Sequence, residues 1–192
     1  MRLRPAFLAL ALLLPSPAAA QDGPLRVLSR PGAVGLMRHA RAPGTGDPAR
    51  MRLDDCGTQR NLSDDGRAQA RMLGGRLRAA GLENARIYAS AWCRTRETAE
   101  LLDLGPVETL PALNSFFAGQ GDGARQTADL RAFLEAGRDG PLRILVSHQV
   151  NVTALTGIYP ADAEMVVLRP GEAGYVVAGR LRLDQAAATG TR

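Results

Sequence analysis

Only two histidines occur in the 192 residues, and each stands directly behind a short apolar run. His39 follows Arg38 in "AVGLMRHA", and His148 closes "RILVSH". A third run, "ARIYAS", ends at Ser90 and leads into "AWCRTRETA", which sets Arg94 near the start of a helix. Arginine is a planar, permanently charged fork suited to phosphate oxygens. Backbone N–H groups at a helix start favour the same anions, and a neutral imidazole is a nucleophile. Arg38, His39, Arg94 and His148 together describe an anion pocket. A metal centre is the rival chemistry, but guanidinium groups repel a dication, and two histidines without acids in these motifs make a thin ligand set. No metal and no cofactor are expected.

For these side chains to meet, the apolar runs must be strands whose carboxyl ends lie side by side. Residues 33–37, 85–90 and 142–147 read as buried strands, each bounded by turn or polar residues. Residues 164–183 read as a strand pair about a Pro-Gly turn. The clearest helix is "SDDGRAQARMLGGRLRAAG": Ser63 can cap it, Asp64 and Asp65 suit its positive end, and Gly81 can stop it. Ala70, Leu73, Leu77 and Ala80 fall on one of its faces. Residues 93–105, 124–137 and 149–159 are further helical candidates. Strands alternating with helices predict an α/β fold, a three-layer α/β/α sandwich around a mostly parallel sheet. Ligands of such sheets bind in the crevice beyond the strand carboxyl ends, where both histidines fall.

The first twenty residues, "MRLRPAFLALALLLPSPAAA", read as a secretory signal with a basic start, a short apolar stretch and small residues before a cleavage site. Residues 21–192 then form a single domain, exported and expected in the periplasm, with no stable membrane insertion because the apolar stretch is too short to span. All 24 basic residues are arginine. Two of them belong to the leader, which leaves 22 basic against 19 acidic residues, a charge of +3. That balance, with scattered aromatic residues at 4% of the chain, argues against a nucleic-acid partner. Cys56 and Cys93 are the only cysteines, and an oxidising setting favours a disulfide between them over a metal site. Two separate buried thiols are the alternative.

The ordered set "LMRHA", "NLSDDGRAQARMLG", "SAWCRTRETA" and "LVSHQ" resembles the histidine phosphatase superfamily, the phosphoglycerate-mutase-like group, in its Arg-His-Gly branch with Ala40 in place of the glycine. The resemblance extends over nearly the whole chain after the leader. It implies that His39 is the nucleophile, forming a phosphohistidine, and that Arg38, Arg94 and His148 hold the phosphate. It also marks a departure: the family's proton-donating glutamate corresponds to Ser115, in "PALNSFFAG". Asp122, Asp54 and Asp55 are the loop acids that could replace it, unless the substrate has a leaving group that needs no proton, such as a phosphoramidate. Arg41, Arg60, Asn61 and Gln149 flank the motifs and could contact substrate. The expected partner is a phosphorylated small molecule, envelope glycolipid or phosphoprotein. The competing reading is a silent phosphate or polyanion binder on the same fold. Sequence leaves the oligomeric state open.

Overall fold

The computed structural model describes residues 17–183. The expected leader falls outside it except for residues 17–20, which enter helix α1 (Pro17–Leu28). Six strands form one sheet: β1 (Val34–Arg38), β2 (Arg86–Ala89), β3 (Val107–Thr109), β4 (Arg143–Ser147), β5 (Met165–Gly171) and β6 (Gly174–Leu181). Their spatial order is β3-β2-β4-β1-β5-β6. The first four run parallel, while β5 and β6 are antiparallel. Four more helices connect them, α2 (Asp64–Ala79), α3 (Cys93–Leu102), α4 (Gly123–Ala136) and α5 (Gln149–Thr156).

The pleat sorts the strands' apolar side chains into two cores. Met37, Ile87, Ile144 and Val146 point to one face, where they meet Leu28 of α1, Leu73 and Leu77 of α2 and Leu102 of α3. Leu36, Tyr88, Leu145 and Val166 point to the other and pack on Leu130 and Leu134 of α4 and Val152 of α5. The result is the three-layer α/β/α arrangement expected from the alternation of elements. Strands buried on both faces explain why residues 34–37 and 144–146 read as continuous apolar runs.

The Ser63 hydroxyl accepts from Gly66 N–H and caps α2 as expected. Ala70, Leu73 and Leu77 are buried, whereas Ala80 lies past the last turn and is exposed. The hairpin turn also differs from expectation: Pro170 and Gly171 pair with Tyr175 and Gly174 inside the ladder, so Glu172 and Ala173 form the turn. The edge strand β3, only three residues long and largely exposed, carries too little pattern to stand out.

Helices α2 and α3 touch at Gly74, where an added Cβ would lie 2.1 Å from the Leu102 carbonyl oxygen. Backbone cannot yield there, so Gly74→Ala is expected to destabilise the fold by about 3 kcal/mol in urea unfolding, the upper range for overpacking. A loss below about 1 kcal/mol would mean the two helices separate freely.

Candidate active site

Parallel pairing brings three strand ends together. Arg38 stands opposite Ser147 and Ala89 opposite Val146. Beyond the last pairs, His39 N–H donates to the Ser147 carbonyl at 2.9 Å and Ser90 N–H to the Val146 carbonyl at 3.1 Å. His39, His148 and Ser90 thus leave adjacent strands at one level. Arg38, His39, Arg60, Arg94, His148 and Gln149 line one cavity of about 130 Å³, together with Asp47 and Ser115.

Both imidazoles are buried and held by specific partners. His39 Nδ1 lies 2.7 Å from the Ala40 carbonyl oxygen. A carbonyl only accepts, so Nδ1 carries the proton and Nε2 keeps its lone pair. Burial is the largest influence on His39; the Ala40 bond opposes it, and the charges of Arg94, Arg38 and Arg60 reinforce it, bringing the pKa down to about 3. His148 Nε2 is 2.8 Å from Ser90 Oγ, which is 2.6 Å from Thr95 Oγ1. Thr95 in turn donates to the Trp92 carbonyl at 2.7 Å. Burial, then the proximity of His39 and Arg94, holds His148 well below the ordinary imidazole range. The two rings meet edge to face, with centroids 5.6 Å apart.

The arginines are fixed by backbone carbonyls and by carboxylates. Arg38 donates to the Pro160 carbonyl and lies 3.0 Å from Asp162. Arg60 Nε donates to the Gly46 carbonyl at 2.7 Å, and Nη1 to the Ala42 carbonyl, which pins the loop after His39. That loop turns through Gly44 and Gly46, at φ of 92° and 68°, a region open to glycine. It delivers Asp47, whose carboxylate meets Arg94 Nη1 at 2.6 Å and Nη2 at 3.0 Å. Arg94 is the first-turn residue of α3, and the preceding residue is bonded: Cys56 and Cys93 form a disulfide, with Cα atoms 5.7 Å apart.

Other flanking residues expected at the site stand elsewhere. Arg41 is exposed and pairs with Asp65 on the surface. Asn61 Nδ2 donates to the Cys56 and Gln59 carbonyls, so it shapes the turn at 56–59. Among the acids, Asp122 caps α4 by accepting from Arg125 N–H, Asp55 caps the short turn at Cys56–Thr58, and Asp54 is solvated beside Arg52. None of the three lines the cavity. Local turn chemistry accounts for their presence. Ser115 does line it, buried, with its Oγ accepting from Phe117 N–H. Asn151 is buried beside the site and donates to the Asn114 carbonyl.

Asp47 is the charged cavity residue that sequence reasoning missed. Its only signal is a lone acid in the glycine-bounded "GTGDP", between the first histidine and the next motif. Trp92 is buried edge to face against His148 and donates Nε1–H to Asp47 at 3.0 Å.

Solved structures share this fold. The protein histidine phosphatase SixA complexed with tungstate is 21% identical, with a TM-score of 0.58 over 78% of this chain and 96% of its own. The putative phosphohistidine phosphatase SixA from Agrobacterium tumefaciens is 17% identical, with a TM-score of 0.56 over 80% and 99%. Phosphoserine phosphatase from Entamoeba histolytica, in complex with 3-phosphoglyceric acid, is 12% identical, with a TM-score of 0.59 over 79% and 98%. Comparison with curated protein sequences gives no match. The family profile of the histidine phosphatase superfamily (branch 1) matches residues 34–156, from the first strand through the last helix, and the chain belongs to that superfamily.

Proposed function

We propose that the protein is a phosphatase that hydrolyses a phosphomonoester or phosphoramidate through a phosphohistidine on His39. The observation that carries this reading is a buried, neutral imidazole with a free Nε2 lone pair in a cavity lined by Arg38, Arg60 and Arg94. Nε2 attacks phosphorus, the bond from phosphorus to the leaving group breaks, and that group departs with the electron pair. Water then attacks the phosphohistidine, returning the imidazole and releasing inorganic phosphate. The cations neutralise charge on the equatorial oxygens, which is most of what phosphoryl transfer asks of a protein. Substrate contacts from Arg60 and Gln149 are supported by their lining the same cavity as His39.

Phosphate oxygens only accept, so engaging His148 Nδ1 requires a proton on that nitrogen. The Ser90 and Thr95 hydroxyls are each donor and acceptor, and reversing them lets Ser90 donate to Nε2 while Nδ1 takes the proton.

Ser115 in the glutamate position, with Asp54, Asp55 and Asp122 outside the cavity, favours substrates whose leaving group departs with little protonation. Phosphoramidates, acyl phosphates and aryl phosphates meet that condition. Export is proposed on the leader-like first twenty residues and on the Cys56–Cys93 disulfide, a bond typical of oxidising compartments. Ser115 also motivates the second reading, a binding protein that holds phosphate or a polyanion without turnover.

Quenching the protein during reaction with phosphoramidate, then with p-nitrophenyl phosphate, decides between them. Acid-labile, base-stable phosphate on wild type and none on His39→Ala is the expected result. Phosphate binding without label or turnover establishes the binding protein instead.

A further inference from the structure

We propose that Asp47 is the positioning residue of the phosphate site: its carboxylate takes the terminal edge of the Arg94 guanidinium and turns the Nε edge toward the bound phosphate. This rests on the reading that the cavity binds phosphate.

The Asp47 carboxylate is fully committed. Its two oxygens receive Arg94 Nη1 and Nη2, Trp92 Nε1–H, and the Arg60 backbone N–H at 3.4 Å. The Asp47 and Arg94 side chains are each 3% exposed. Burial opposes ionisation of this carboxyl, but the hydrogen bond and charge of Arg94, with Trp92 behind them, hold it below the usual carboxylate range. With four donors converging on two oxygens, a carboxyl proton has no place. Asp47 is therefore not the missing acid, although it is the carboxylate that the cavity contains.

The arginine guanidinium offers two edges of paired donors, the terminal Nη1/Nη2 edge and the side edge that includes Nε, because Cδ blocks the third. Asp47 uses the terminal one on Arg94. Arg94 Nε is buried with no hydrogen-bond partner, and Nη2 lies 3.4 Å from His148 Nδ1. The edge that shares Nε is thus the one left to take a second bidentate anion. Arg38 is alike in part: it donates from Nη1 to the Pro160 carbonyl, its Nη2 lies 3.0 Å from Asp162 as an ion pair, and its buried Nε has no partner. Leaving a buried donor unpaired is costly, and that cost is removed when an anion arrives. Two such donors on arginines lining the cavity of His39 point to one ligand.

Charge and geometry predict opposite signs for removing this carboxylate. A negative charge beside an anion site, acting by charge alone, weakens phosphate binding, so its loss would tighten it. A group that orients Arg94 strengthens binding, so its loss weakens it. Titration calorimetry with inorganic phosphate reads that sign directly, beside thermal unfolding and steady-state kinetics with p-nitrophenyl phosphate.

Asp47→Asn is expected to bind phosphate about tenfold more weakly and to raise KM more than it lowers kcat, with Asp47→Glu recovering part of the loss. Trp92→Phe removes one donor to Asp47 while leaving the ion pair, and is expected to weaken binding a few-fold; it carries the test if Asp47→Asn does not fold. Equal or tighter phosphate binding in Asp47→Asn, or unchanged binding in Trp92→Phe where only that variant folds, overturns the role of Asp47 and leaves the phosphate reading standing. Wild type that binds no phosphate overturns both.

Discussion

His39→Ala is expected to lower kcat for p-nitrophenyl phosphate by about 10⁴-fold or more, the scale on which removing a covalent enzyme's nucleophile acts. Affinity for inorganic phosphate should stay near that of wild type, because Arg38, Arg60 and Arg94 remain and are anchored independently of the ring. A loss in kcat that leaves phosphate affinity intact is the signature of a group that bonds to phosphorus rather than one that holds its oxygens. Residual turnover above about 1% of wild type would remove His39 from the role of nucleophile.

The same ring has a pH signature. A base whose folded pKa is lowered stays unprotonated in acid, so the free protein is expected to keep His39 neutral down to about pH 3. In 15N NMR of the ligand-free protein, neither histidine should titrate near 6.5, and His39 should show the Nδ1–H tautomer. Unfolding frees both rings to take protons below about pH 6.5. Folded histidines held lower therefore contribute stability that is fully present above that pH and declines as pH falls from 6.5 toward 3. Bound phosphate, being anionic, opposes the drop in both pKa values. A histidine titrating near 6.5 in the folded, ligand-free protein would contradict the burial that sets this chemistry.

How much of this was legible in sequence depended on the range of the interactions. Arg38, His39, Arg94 and His148 could be placed because each follows or begins an element whose period is local, and a parallel sheet then aligns its strand ends. The Ser63 cap is local in the same way. Asp47 was not legible, since its partners Arg94 and Trp92 lie 47 and 45 residues away and only the folded loop brings them together. The acids Asp54, Asp55 and Asp122 look in sequence like any loop carboxylate, and what distinguishes them is that their oxygens face turn amides or solvent. Arg41 and Arg60 share a residue type and a loop setting. Only Arg60 reaches inward, because the Gly46 and Ala42 carbonyls lie there to receive it.

Replacing both Cys56 and Cys93 with serine is expected to cost about 3–4 kcal/mol of stability, the chain-entropy value for releasing a loop closed over 37 residues. The consequence reaches the site because the bond joins two segments that already share its machinery. On one side, Asn61 donates to the Cys56 carbonyl, Gln59 Oε1 accepts from Cys93 N–H at 3.0 Å, and the Arg60 carbonyl receives Arg94 Nη1 at 3.4 Å. On the other, Cys93 is the residue before Arg94 and opens α3. Serine keeps the backbone hydrogen bonds but not the covalent limit on how far these segments part. Phosphate binding should therefore weaken several-fold in the double variant, and treating wild type with dithiothreitol should reproduce both effects. Denaturant midpoints and calorimetry separate the two contributions. A stability loss with phosphate affinity unchanged would mean that Gln59, Arg60 and Asp47 hold Arg94 by hydrogen bonds alone, and that the disulfide serves the fold and not the site.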